Sequence, residues 1–79
     1  MSGWNHRVFR NVGMVGEQDW FDIRETYYAE SMPDGCTSEA IAPGGETLAE
    51  LANELGRMLA ACSKPVLCFD GDRIVEWKP

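Results

Sequence analysis

Residues 4–30, WNHRVFRNVGMVGEQDWFDIRETYYAE, decide the fold. In their first half the even positions Trp4, His6, Val8, Val12 and Met14 are apolar or aromatic, with Arg10 the lone charge among them, which is the period-two pattern of a half-buried strand. The polar turn GEQD follows, and the odd positions Phe21, Ile23, Tyr27 and Ala29 then repeat the pattern around a lone Glu25. A four-residue loop, Gly16 to Asp19, predicts an antiparallel register with Val15 opposite Trp20, Met14 opposite Phe21, Val12 opposite Ile23 and Val8 opposite Tyr27. In that register Arg10 faces Glu25, so each strand's single charge has the other as its structural partner.

Working outward, GGETLAELANELGRML (Gly44 to Leu59) carries the strongest helix signal. Thr47 followed three residues later by Glu50 is a capping box, and Leu48, Leu51, Ala52, Leu55, Met58, Leu59 and Cys62 recur at three- and four-residue steps. The spacing predicts a helix over Thr47–Cys62 with this apolar face buried on the sheet and Glu46, Glu54 and Arg57 in solvent. Gly56 costs such a helix up to roughly 1 kcal/mol relative to Ala, and close packing is the expected reason for it.

Between hairpin and helix, SMPDG has turn chemistry and CTSEAIA (Cys36 to Ala42) reads as a short third strand, stopped by Pro43, Gly44 and Gly45. Lys64-Pro65 ends the helix, and VLCF (Val66 to Phe69) reads as a well-covered strand. DGDRIVEW either folds back through Asp70-Gly71 into a hairpin, the favoured reading, or trails as an arm. The expected fold class is α+β: one domain over 1–79, an antiparallel sheet of three to five strands with one helix on one face, ordered β-β-β-α-β with or without a last strand. The strands flanking the helix need not be neighbours.

Composition narrows the function. A chain of 79 residues buries only about 60% of the surface its unfolded form exposes, and a hydrophobic share of 44% marks it as ordered. A net charge of −6, with the seven basic residues scattered, disfavours nucleic acid and suits a basic protein partner. The start of the chain lacks an apolar signal region, no run approaches the ~18 apolar residues of a membrane span, and a cytoplasmic protein with reduced thiols is expected.

No constellation in the sequence matches a catalytic or metal-binding signature. His6 is the only histidine and has no Ser, Cys or Asp at a diagnostic spacing; Cys36, Cys62 and Cys68 form no CxxC pair. Asp70, Asp72 and Glu76 lack the ligand spacing of a calcium loop, and Glu46 and Glu50 would repel an anion at Gly44-Gly45. No enzyme, cofactor or metal is therefore expected. The aromatic residues point elsewhere: Phe9, Trp20 and Tyr28 face away from the helix, and either the C-terminal segment folds over them or an open sheet face bearing them serves as a protein-binding surface. A structural homodimer built on the same face or on an edge strand is the alternative.

Two resemblances rest on these motifs. WNHRVFRNV, the aromatic second strand and APGGETLAELANELGRMLAACSKPVL resemble a group of small uncharacterised bacterial and phage proteins, which brings no established activity. MPDGC followed by GGETLAELANEL is similar to the Pro-Gly-Cys and Gly-Asp-Thr-Leu elements of HicB-type antitoxins, with Asp34 and Glu46 standing where that family has Pro and Asp. That resemblance implies a β-β-β-α-β domain that masks an RNA-cleaving toxin.

Overall fold

The computed structural model describes residues 3–78. Its elements are β1 (Gly3–Asn11), β2 (Trp20–Ala29), β3 (Met32–Cys36), α1 (Leu48–Ala61), β4 (Leu67–Asp70) and β5 (Arg73–Glu76), so the class is α+β with one helix and a five-stranded sheet. The strand order is β3-β2-β1-β4-β5. The sheet is mixed rather than antiparallel: β4 runs parallel to β1, with Leu67 beside Phe9. The helix is what reverses the chain, since it returns it to the start of β1 before β4 begins. β3 and β4, which flank the helix in sequence, are separated by two strands.

β1 and β2 pair as expected, but four residues out of the expected register. Val8 lies opposite Ile23, His6 opposite Glu25 and Arg10 opposite Phe21. Because the shift is even, every side chain keeps its face while it changes partner. The cause is the connection. β1 ends at Asn11, and residues 12–19 form a loop in which Glu17 N–H donates to the Met14 carbonyl (2.8 Å), with Gly16 at φ 87° in the third position of the turn. Asp19 closes the loop by accepting from Gly13 N–H at 2.7 Å and from the Arg10 guanidinium. A Cβ at Gly13 would stand 2.6 and 2.7 Å from the Glu17 and Gln18 carbonyl oxygens, so only glycine fits there. Val12, Met14 and Val15, expected in the strand, lie exposed on this loop. Arg10 pairs with Asp19, and the expected Arg10–Glu25 pair does not form.

The third strand is MPDGC itself, the stretch read as a turn. The reversal is one step earlier, at Glu30 (φ 52°) and Ser31 (φ 67°) between the paired residues Ala29 and Met32. Both central residues are left-handed, as a two-residue type I′ hairpin requires, although neither is Asn or Gly. Pro33 is tolerated because β3 is an edge strand, and the pairing shifts by one residue between Tyr27 and Tyr28. Residues 37–41 are irregular but stay tied to β2, with Thr37 N–H donating to the Glu25 carbonyl and Ile41 N–H to that of Ile23. β4 and β5 form the favoured hairpin, turning at Gly71 (φ 67°) and Asp72.

The helix matches its expected limits: Thr47 is the N-cap, accepting from Glu50 N–H at 3.1 Å, and Cys62 is the C-cap. Gly45 has a steric role, because a Cβ there would meet Glu50 Cβ and Leu51 N at 2.8 Å as the chain folds against the first turn. A Cβ at Gly56 would meet nothing within 4 Å, so close packing does not account for that residue.

The sheet coils around its helix-free face until the edge strands β3 and β5 touch. This makes a half-barrel whose inner face holds Phe9, Thr26 and Leu67, all fully buried. On the outer face α1 lies over β1, where Met58 and Ala61 are its buried residues.

Two substitutions test these backbone constraints in urea unfolding. Ser31→Gly relieves a left-handed non-glycine residue and should stabilise the protein by about 1 kcal/mol. Gly13→Ala forces carbonyl oxygens apart and should destabilise it by about 1–3 kcal/mol.

Candidate functional site

Helix α1 is apolar over more of its circumference than one strand can cover. The side turned to β1 is the row Leu51, Glu54, Met58 and Ala61. Leu48, Leu55 and Leu59 lie one step round the cylinder and are 81%, 48% and 73% exposed. Ala52, Gly56 and Cys62 share that outer side and are exposed too. The expectation that Leu48 through Leu59 bury together is corrected: about half of the apolar sector packs, and the other half faces solvent.

The packed row holds one polar contact. His6, almost fully buried, places Nε2 3.0 Å from Glu54 Oε1, an ion-pair distance without the alignment of a hydrogen bond. Trp4 stands edge-on to the His6 ring at 5.4 Å, and Arg57 reaches the other Glu54 oxygen at 3.8 Å. A shallow cleft of about 520 Å³ opens beside them, lined by Arg57 from the helix and by Lys64 from the turn that follows it. His6 thus serves as a joint between helix and sheet. Among the described residues no group of three or more His, Cys, Asp or Glu could hold a metal ion, and all three cysteines are free.

The inner face of the half-barrel treats the three expected contact residues differently. Phe9 is fully buried, stacked against Phe69 at 5.6 Å and capped by the Arg24 guanidinium at 5.4 Å, so it is core rather than contact surface. Arg24 is fixed there by Asp22 (3.1 Å) and Asn11 Oδ1 (2.8 Å), and it also reaches the Thr37 and Ser38 carbonyls. Burial opposes its charge, but the Asp22 carboxylate outweighs that and raises its pKa. Tyr28 is half-buried, its hydroxyl donating to Asn5 Oδ1 at 2.7 Å and accepting from Arg7 at 2.9 Å. Trp20 is 52% exposed but lies at the far end of β2, roughly 27 Å from Tyr28 along an extended strand. The three residues do not form one patch.

The outer face of β2 was not singled out from sequence, yet it carries exposed aromatics. Phe21 packs edge-on to Trp77 at 5.6 Å, Arg10 lies 5.2 Å over the same indole, and Tyr27 donates to Glu25 at 3.0 Å. That hydrogen bond to a carboxylate raises the Tyr27 pKa. The alternation that placed these residues on the helix side was visible in the sequence, whereas the narrowness of the helix cover was not.

Comparison of the chain with protein-family models, with curated proteins and with solved structures gave no match. No helix among the described residues is long and apolar enough to cross a membrane.

The Asp19 anchor has a pH signature. The Gly13 N–H, aided by Arg10, holds the Asp19 carboxyl below the ordinary aspartate range. Its contribution is therefore complete above the unfolded-chain value of about 3.9 and is lost as pH falls through the lower folded value. A carboxyl NMR titration should give a depressed midpoint for Asp19, and Asp19→Asn should flatten the acid limb of the stability curve.

Proposed function

We propose that this chain is a non-enzymatic protein-interaction module whose working surface is the outer side of α1. One observation carries the reading: Leu48, Leu55 and Leu59 are exposed together on a helix that is already docked by a different row. Aligned leucines at three- and four-residue steps are what a helix offers to an apolar groove or to another helix. Helix–helix packing favours small neighbours, and Ala52 and Gly56 leave room for close approach. The reading moves the surface from the sheet to the helix, because Phe9 is buried and Trp20 and Tyr28 lie far apart.

The partner's expected chemistry follows from charge. The apolar row is set in a protein of net charge −6, so a surface with an apolar centre and a basic rim complements it. The nucleic-acid-binding site of an RNA-cleaving toxin is one such surface, which is where the resemblance to HicB-type antitoxins would lead.

A homodimer is the second reading, and the dimensions favour it. The chain exposes 5831 Å², roughly a thousand Å² more than the about 4,800 Å² expected of a compact monomer of its mass. That excess is close to the about 800 Å² each partner buries in a standard interface. The radius of gyration, 13.4 Å against about 11.6 Å for a compact chain of this length, agrees with it.

Leu55→Asp with Leu59→Asp should leave the monomer's unfolding free energy within about 0.5 kcal/mol of the parent while weakening association more than tenfold. Sedimentation at micromolar concentration separates the readings: a parent dimer that the double variant splits supports self-association. A parent monomer that captures a basic partner, with capture lost in the variant, supports the first. If neither association depends on these leucines, the helix assignment fails.

A further inference from the structure

A second cleft, of about 450 Å³, lies on the opposite side of the molecule from the helix, where β3 and β5 close the half-barrel. Met32, Pro33, Leu67 and Ile74 give it apolar walls, and Arg7 and Tyr28 line its inner side. Its size is in the range of small-molecule sites, which pair apolar walls with a few fixed polar groups.

Arg7 is the unusual member. It is only 9% exposed. Nη1 donates to the Tyr28 hydroxyl at 2.9 Å and Nη2 to the Pro65 carbonyl at 2.6 Å, both uncharged acceptors, and Nε is buried with no acceptor. Among the described residues Arg10, Arg24 and Arg57 each stand within ion-pair distance of a carboxylate, whereas Arg7 and Arg73 do not, and of these two only Arg7 is buried. A guanidinium stays protonated in any protein setting, so this is a buried charge without its counter-charge, a costly arrangement unless something supplies one. Glu76 lines the same cleft on an exposed edge strand without reaching Arg7. The exposed Arg73 lines the cleft too, so these two rim charges offset one another and the single charge of Arg7 is the one a ligand has to match, which suits a single negative group.

We propose that this cleft binds a monocarboxylate carried on an apolar chain, the carboxylate pairing with Arg7 and the chain lying along Leu67, Ile74 and Met32. The site is independent of the helix surface and would operate whether or not that surface binds a partner. A free medium-chain acid and the C-terminus of an apolar peptide share this chemistry.

The test is an NMR titration of the isotope-labelled full chain with decanoate, decanol, and acetyl-Leu-Val-Leu as free acid and as amide. Saturable shifts at Leu67, Ile74 and the Arg7 Nε–H are expected with at least one of the two acids. That acid should bind about ten- to a hundredfold more tightly than its uncharged counterpart, as a charge-assisted pair implies. Whether decanoate or the peptide acid saturates identifies the source of the carboxylate. Arg7→Met should remove the preference for the acid. Met32→Trp, at an exposed rim position, should block the mouth with Arg7 intact, and it carries the test if the Arg7 variant does not fold. The proposal is overturned if neither acid saturates by about 1 mM. It is also overturned if the uncharged counterparts bind as well as the acids, or if Met32→Trp binds as the parent does.

Discussion

The structure depends on β1 being shared between two cores. His6, Arg7, Val8 and Phe9 are four consecutive buried residues, which a strand with one solvated face would not show. Their even members face the helix and their odd members face the inside of the half-barrel. β2 and β4 both pair with this strand, and α1 packs on it. Two of the four residues are polar, so each core had to supply partners: Glu54 for His6, and Tyr28 with the Pro65 carbonyl for Arg7. The less regular parts of the sheet, Pro33 with its register shift and the short β5, are left to the edges, where missing ladder bonds matter least.

Features specified by residues close in the chain were legible beforehand. The helix limits are one, because Thr47 caps its own first turn and Lys64-Pro65 prevents continuation. The faces of β1 and β2 are another, since alternation survives an even shift of register. The register itself was not legible, because it depends on how closely Gly13 approaches the Glu17 and Gln18 carbonyls and on a side chain, Asp19, bonding back across its loop. The β2–β3 reversal was hidden for a different reason. Glu30 and Ser31 hold left-handed backbone that their side chains do not advertise, while the residues that do advertise a turn, Pro33, Asp34 and Gly35, lie in the strand.

The candidate surfaces show a similar division. That α1 has a wide apolar sector could be counted from Leu48 to Cys62, but which half would pack could not. That depends on the helix resting on a single strand, a consequence of the sheet coiling away from it. The same coiling took Phe9 from an apparently open face into the core, and it created the cleft beside Arg7. Sheet curvature is a property of all five strands together, and no single stretch of sequence carries it.

The parallel pairing of Phe9 with Leu67 also orders events in time. A ribosome delivers β1, β2 and β3 first, and these can zip by local turns, yet one side of β1 then stays bare while the helix and its flanking turns are still being made. Until Leu67 arrives, Phe9 has a neighbour only on its β2 side and Arg7 lacks its Pro65 acceptor. The nascent chain therefore carries a strand with one open edge and a cation on its inner face, and charge at a bare edge is a recognised safeguard against joining the wrong chain. The residue that makes the finished cleft electrostatically incomplete also discourages mispairing while the protein is unfinished.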